Sequence, residues 1–323
     1  MYRAIQQRAV KILSNMNINN FLEVNMKIGI IGLGKMGYNL ALNIHDKGFE
    51  VQAYNRSNEK VDEIIKDGIN GHYTIESLTD ALDDRKVIWL MVPAGEAVDS
   101  VIEELLPRLK TGDIIIDGGN SKYEDSIARG NYLHQKGIYF LDAGTSGGIE
   151  GARNGACIMV GGDTDAVAYL EDFFKAITVG DGFLHTGVCG SGHYVKMIHN
   201  GIEYGMMQAI GEGFNILKES RFDLDYSAVA KVWSNGSIIR GLLMELTEQA
   251  FINNGNLENI IPIIDAQGEG QWTVEEAIRL NVSVPVIANS LFVRYASKDS
   301  DKFSDKVVAA LRNEFGGHKL HVK

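Results

Sequence analysis

Cysteine and proline are scarce, with two and four copies in 323 residues. The cysteines, Cys157 and Cys189, offer no metal-ligand spacing and no disulfide framework, so no metal is expected and a reducing cytoplasm is the expected compartment. So little proline beside 36 glycines excludes a proline-rich linker and suits an α/β protein with many tight strand-to-helix turns. Positive charge is in deficit as well: 31 Lys and Arg against 42 Asp and Glu give a formal net charge of -11. That balance argues against a nucleic-acid-binding surface, yet it leaves room for a local cationic pocket that takes an anionic substrate. Long apolar runs are missing too, and none reaches the roughly 18 residues that a membrane span needs. What is present is ordinary: 45% hydrophobic and 23% charged, in a chain long enough for two domains with ample core.

Residues 1–25 stand apart. They carry Arg3, Arg8 and Lys11 and no acid before Glu23. They read either as an extension ahead of a second start at Met26 or as a basic amphipathic targeting segment. The shortage of arginine and serine favours the extension, which is expected to take no part in the fold.

From Met26 the pattern runs strand, glycine turn, helix. KIGII reads as a buried strand, GLGKMG at 32–37 as a complete G-x-G-x-x-G, YNLALNIHDKG as a helix ended by Gly48, and EVQAYNR as a second strand. Gly32 makes the tight turn, Gly34 lets the backbone approach a pyrophosphate, and Gly37 lets helix and strand pack closely. The helix N-terminus supplies N–H groups and the positive end of its dipole. Leu33 and Met36 inside the loop join the expected cofactor contacts. A lone motif of this kind is weak evidence, but here the strand before it, the helix after it and the end of the second strand fall at the expected spacing. That second strand ends in Tyr54-Asn55-Arg56-Ser57, where an NAD site usually places an acid for the ribose 2′-hydroxyl. Arg56 can instead pair with a 2′-phosphate, with Asn55 and Ser57 as further donors, so NADP is preferred over NAD. An exposed turn arginine is the bland alternative.

Further strand patterns follow: VIWLMVP at 87–93, DIIIDGGNS at 113–121, YFLDAGTSGG at 139–148 and CIMVGG at 157–162. In open parallel sheets ligands sit beyond the carboxyl ends of strands, where Val92, Pro93, Asn120 and Ser146-Gly147-Gly148 fall. Turn chemistry alone explains Gly-Gly-Asn equally well. After Gly192 long helices take over, at residues 193–220, 226–234, 238–253, 273–280, 285–297 and 303–315. The expected architecture is therefore α/β: a Rossmann-type doubly wound sheet at 26–190, followed by an all-helical domain at 191–323.

One stretch stands out in that second half. HYVKMIHNGIEYG at 193–205 places Lys196, His199, Asn200 and Glu203 at i, i+3, i+4 and i+7, one stripe of a helix, with Tyr204 beside it. The opposite face carries Val195, Met197, Ile198, Ile202 and Met206, which suits a buried side. A mixed-charge stripe is usually a solvated face, but this one lacks the repeating Glu/Lys pairs of such a face.

Together these segments resemble decarboxylating 6-phosphogluconate dehydrogenases, of the β-hydroxyacid dehydrogenase superfamily, in a shorter form without the large extra helical repeat. The resemblance covers nearly everything from Met26 to His318 and rests on GLGKMG, NRS, DGGNS, TSGGIEGARNG, HYVKMIHNGIEYG, GQWT, FVR and RNEFGGH. It implies oxidative decarboxylation of 6-phosphogluconate to ribulose 5-phosphate, a step of the pentose phosphate pathway, with NADP as cofactor. By position, Gly32, Gly34 and Gly37 with Asn55, Arg56 and Ser57 would hold NADP, and Asn120 would lie between nicotinamide and substrate. Ser146, Gly147 and Gly148 would bind the carboxylate end of the substrate, and His199 and Asn200 its hydroxyls. Lys196 would be the general base and Glu203 the acid. Tyr204 and Arg294 would bind the phosphate. Arg312 and His318 would reach into the neighbouring subunit's site, in a homodimer or homotetramer with composite sites.

One departure bears on the phosphate. Longer family members carry a lysine in the glycine-rich loop before Trp-Thr, whereas this loop reads QGEGQWT at 267–273. Phosphate binding must then rest more on Arg294, Arg312 and Tyr204. The closest rival is another β-hydroxyacid dehydrogenase, such as one acting on 3-hydroxyisobutyrate, which needs neither Glu203-Tyr204 nor the Arg312/His318 pair. A non-catalytic NADP-binding regulator would need neither Lys196 nor Glu203.

Overall fold

Alternating apolar side chains on continuous hydrophobic runs build the centre of the N-terminal half. In the computed structural model, which describes residues 26–322, Lys27–Ile31 forms β1, with Ile28 and Ile30 on one face and Ile31 on the other. Val87–Leu90 (β4) and Ile114–Asp117 (β5) repeat the pattern: Trp89 and Ile116 join the first core, Leu90 and Ile115 the second. Strands buried on both faces are what a sheet covered by helices on each side requires. The expectation for residues 1–25 lies outside the described residues.

Eight strands form one sheet in the order β3-β2-β1-β4-β5-β6-β7-β8. Beyond those above, the strands are Glu50–Tyr54 (β2), Asn70–His72 (β3), Tyr139–Ser146 (β6), Ala156–Gly162 (β7) and Thr178–Gly187 (β8). The helices among them are Lys35–Asp46 (α1), Asn58–Lys66 (α2), Ile75–Ala81 (α3), Glu96–Leu105 (α4), Tyr123–His134 (α5), Gly148–Asn154 (α6), Thr164–Tyr169 (α7) and Glu171–Ile177 (α8). From β3 to β6 every pairing is parallel, and the order reverses at β1/β4, the switch point at which such sheets bind ligands. β7 departs from the expected parallel series: it runs antiparallel to β6, because only the short α6 separates the two strands.

Ser191–Lys218 forms a 28-residue helix, α9. Its first turn is held by a remote carboxylate. Asp142 of β6, wholly buried, accepts from Gly190 N at 2.7 Å and His193 N at 2.8 Å. Burial pushes the Asp142 carboxyl above its usual value, and these N–H donors with the nearby His193 pull the other way. Side-chain bulk at Gly192 is impossible, since a Cβ there would meet Asp142 O at 2.2 Å. The described residues divide into two compact units between Lys196 and Met197, inside this helix, so its first turn belongs with the sheet.

The second unit continues with Tyr226–Ser234 (α10), Leu242–Asn254 (α11), Gly268–Leu280 (α12), Pro285–Lys298 (α13) and Phe303–Gly316 (α14). Two starts differ from expectation. α11 begins at Leu242 and not at Ile238, because Gly241 adopts φ +147° and breaks the backbone there. α12 begins at Gly268, five residues before Thr273, so most of the glycine-rich loop is the first turn of a helix. The expected buried apolar face of α9 is also different. Ile202 and Met206 are about half exposed, Val195 is 39% exposed, and of that face only Met197 is buried, whereas Lys196, Asn200 and Tyr204 of the polar stripe are buried.

Candidate active site

The loop from β1 to α1 has the stereochemistry its glycines suggest. Gly32 has φ +106°, and a Cβ there would meet Met91 O at 2.4 Å. Gly37 lies so close to the strand end that a Cβ would stand 2.0 Å from Gly32 O. Gly34, exposed at the N-cap of α1, would meet nothing within 4 Å. The middle glycine is therefore not required by the protein's own packing, which fits a backbone left bare for a phosphate. Leu33 is buried in the core while its N–H donates to Asn55 Oδ1 at 2.9 Å; Met36 is half-buried. Asn55 also donates through Nδ2 to Ser57 O. Its amide thus ties the end of β2 to the glycine loop, an arrangement the sequence reading, which made Asn55 a 2′-phosphate donor, did not contain. Arg56 and Ser57 are exposed, and Arg56 has no carboxylate within ion-pair distance among the described residues.

Strand ends carry the next group. The expected strand at 87–93 stops at Leu90, which leaves Val92 half-buried and Pro93 exposed in the loop that leads to α4. The expected strand at 113–121 ends at Asp117, and the turn that follows holds Asn120 exposed at its tip. Ser146 closes β6; Gly147 and Gly148, at φ +113° and +64°, turn the chain into α6. Lys196 is 7% exposed, and its Cβ lies against Gly144 of β6, where a side chain would approach it to 2.4 Å. All these residues belong to the first unit.

In the second unit His199 Nδ1 and Asn200 Oδ1 are 3.0 Å apart, and Glu203 Oε2 lies 3.8 Å from His199 Nδ1. Tyr204 is buried, accepts from Gln267 N at 3.0 Å, and packs against Gly270. Arg294 of α13 stacks on Tyr204, its Cζ 3.5 Å from the ring centroid. Its guanidinium is 9% exposed and donates only to Asp265 O and Met207 Sδ, with no carboxylate in ion-pair range among the described residues. Such a group has donors to spare for an anion. Arg312 and His318 are not brought into this cluster. Both are exposed: His318 rests on Phe315, and Arg312 has no ion pair among the described residues.

Several polar groups escaped the sequence reading. Arg129 of α5 is an internal guanidinium reaching Asp99, Asp117 and Gly95 O. His193 is 2% exposed, with Nδ1 2.7 Å from Ser126 Oγ and no partner for Nε2 among the described residues. Glu269, inside the glycine-rich turn, is 4% exposed with one carboxylate oxygen likewise unpartnered. No motif or spacing in the sequence singles out Arg129. Cys189 is not reactive machinery: its thiol donates to Ser126 O, and burial beside Asp142 pushes it up to about 12. Among the described residues no cluster suits a metal ion, and no helix is long and apolar enough to cross a membrane.

Comparison with known proteins gives these residues a family. Residues 27–190 match the NAD binding domain of 6-phosphogluconate dehydrogenase, and residues 192–319 match the 6-phosphogluconate dehydrogenase C-terminal domain. The Bacillus subtilis (strain 168) protein named "Putative 6-phosphogluconate dehydrogenase YqeC" is 51% identical over 92% of this chain and 100% of its own length. An NAD(+)-dependent, decarboxylating 6-phosphogluconate dehydrogenase of Haloferax volcanii is 44% identical over 91% of this chain and 98% of its own. The solved Plasmodium falciparum 6-phosphogluconate dehydrogenase, described with its cofactor NADP+ and its substrate 6-phosphogluconate, superposes with a TM-score of 0.78 at 33% identity. That match covers 92% of this chain but 66% of the Plasmodium protein, so the chain spans about two thirds of that longer relative. With both halves matched and a glycine loop shaped for a nicotinamide dinucleotide, the chain belongs to the 6-phosphogluconate dehydrogenase family of oxidoreductases.

Proposed function

We propose that the protein oxidatively decarboxylates 6-phosphogluconate to ribulose 5-phosphate and carbon dioxide in the cytoplasm, with NADP as the preferred oxidant. Arg294 carries this reading over a simpler β-hydroxy acid. A buried guanidinium stacked on Tyr204, without a carboxylate partner among the described residues, suits a phosphate dianion. The Tyr204 hydroxyl accepts from Gln267 N and keeps its own proton to donate to the same group. A substrate such as 3-hydroxyisobutyrate has only its carboxylate, which Ser146, Gly147 and Gly148 would take, and no second anion for this cluster.

The cofactor would be held by the N–H groups at the start of α1, with the open space at Gly34 leaving room for its pyrophosphate. When bound, the oxidised nicotinamide supplies the acceptor for the hydride. Lys196, in its neutral form, takes the proton of the β-hydroxyl as the hydride leaves the same carbon. Ser146, Gly147 and Gly148 hold the carboxylate, and His199 and Asn200 the hydroxyls. The ketone so formed is β to the carboxylate. Lys196, now cationic, gives its proton to the ketone oxygen as the carbon–carbon bond breaks and carbon dioxide departs. The resulting enediol regains a proton on carbon from Glu203, while Lys196 withdraws the proton from oxygen and leaves the product ketone.

The NADP preference rests on Arg56, exposed at the end of β2 with no competing carboxylate in range among the described residues. Arg56→Ala combined with Ser57→Asp should move the ratio of kcat/KM for NADP over NAD towards NAD; an unmoved ratio removes this assignment. The reaction itself is tested by offering purified protein 6-phosphogluconate or 3-hydroxyisobutyrate with each cofactor, following reduced cofactor and carbon dioxide together. Equal amounts of both from 6-phosphogluconate are expected. Reduced cofactor only with the smaller acid would overturn the reading. The active form is proposed to be a dimer whose tails, with Arg312 and His318, complete each other's sites. In support, no residue of α14 is buried, and Phe303, Val308, Leu311 and Phe315 are each more than half exposed.

A further inference from the structure

We propose that Arg129 is a positioning residue for Asn120 and the loop beside it, locking the segments that follow β4 and β5 into one rigid unit. This deepens the reading above, since it rests on Asn120 facing the reacting groups. Arg129 lies on α5, its side chain is 7% exposed, and its donors go to three groups in two segments. Nε donates to Asp99 Oδ1 at 2.7 Å, on the first turn of α4. Nη2 donates to Gly95 O at 3.1 Å, at the N-cap of the same helix. Nη1 reaches Asp117 Oδ2 at 3.5 Å, the last residue of β5.

Asp117 passes this hold on to the turn. Its carboxylate is wholly buried. Oδ1 accepts from Gly119 N at 3.1 Å and Oδ2 from Ser121 Oγ at 2.7 Å, so the carboxylate grips the residues on both sides of Asn120. Asn120 itself is exposed, with no side-chain hydrogen bond among the described residues. The backbone at Gly118 packs closely on Trp89, and a Cβ there would stand 1.9 Å from Nε1. The result is an amide with all its hydrogen-bonding capacity free, on a backbone held from below. Both segments leave the carboxyl ends of neighbouring parallel strands, the edge at which such sheets take their ligands. A planar guanidinium is suited to this task, because its donors diverge in fixed directions towards both segments. A lysine keeps the charge and loses the fork.

A purely stabilising ion-pair network would give the same contacts, so the test must read Asn120. The experiment is a double-mutant cycle on the full chain with NADP and 6-phosphogluconate, using Arg129→Lys, Asn120→Ala and both together. Arg129→Lys should lower kcat about tenfold, with a smaller change in the KM for 6-phosphogluconate, and the drop should shrink to less than about twofold in the Asn120→Ala background. Ser121→Ala removes one bond to the same carboxylate and keeps the cycle informative if Arg129→Lys does not fold. It should act in the same direction, more weakly, and lose its effect in the same background. An equal drop in kcat with and without Asn120, from whichever of the two variants folds, overturns the proposal. If the wild-type protein turns over no 6-phosphogluconate, the substrate reading fails by itself. The same cycle is then read on the dissociation constant of reduced cofactor, followed by its fluorescence, where loss of coupling again overturns the role of Arg129.

Discussion

At the scale of single residues, Lys196 shows how burial and chemistry are linked. A lysine 7% exposed, packed against a strand glycine, is not a solvating group. The proposed mechanism uses it first as the base and then as the acid that base becomes. Lys196→Met keeps the bulk of the stem and removes the amine. Turnover should fall by at least about a thousandfold, by loss of the base and of the acid it becomes, while cofactor affinity stays within about threefold. Steady-state kinetics beside a fluorescence titration measure both, and a residual rate within tenfold of wild type would remove its role. The two cysteines offer an independent check on the fold. Cys157 is exposed, whereas the Cys189 thiol is pushed up to about 12 by burial and by Asp142. Thiol titration at pH 8 should therefore count one fast group per native chain and two after denaturation.

At the scale of elements, the glycine loop separates packing from binding. Gly37→Ala forces a Cβ to 2.0 Å from Gly32 O, so strand and helix must part, at a cost of about 1–3 kcal/mol. Gly34→Ala meets nothing in the protein. Thermal unfolding should show a lowered Tm for the first variant and an unchanged one for the second. Cofactor titration should show weakened binding for both, since the second methyl occupies the approach to the pyrophosphate. If Gly34→Ala binds cofactor as wild type does, the phosphate lies elsewhere. The same elements mark how far the sequence can be read. β1, α1 and β2 are legible because a buried strand, a motif with stereochemical demands and a capped helix agree. β3 is not, since Asn70-Gly71-His72 carries no apolar signal, and β8, with Gly180 and Gly182 inside it and only Thr178 buried, carries no strand pattern. The start of α12 was hidden because glycines at 268 and 270 look like a turn, although Gly270 is small so that the helix can pass Tyr204. The stripe on α9 is legible as a periodicity, but the direction it faces is not. A helix with a polar and an apolar side is normally buried on the apolar one.

At the scale of the whole molecule that inversion has a consequence. Ile202 and Met206 on α9, Phe292 on α13 and Phe303, Val308, Leu311 and Phe315 on α14 are each more than half exposed in a single chain. Scattered apolar residues are ordinary on a surface, but a helix that buries none of its residues has no reason to fold alone. A second copy of the chain, as proposed, would cover such residues. Each site would then take Lys196, Glu203 and Arg294 from one chain and Arg312 and His318 from the other, with Arg312 forming a charge-assisted pair with the substrate phosphate. Gly317, at φ +63°, ends α14 and turns the tail off the helix axis. The alternative is a solvated terminus whose basic residues merely favour the helix dipole. Complementation separates the two. Lys196→Met chains and Arg312→Ala chains should each be inactive alone. After the two are dissociated and reassociated together, statistical mixing puts about half of the dimers in the mixed form, and each mixed dimer holds one site with both residues intact. Activity near a quarter of the wild-type value is therefore expected. Mixed dimers that form, as seen by native mass spectrometry, and yet stay inactive would show that Arg312 serves its own chain or none.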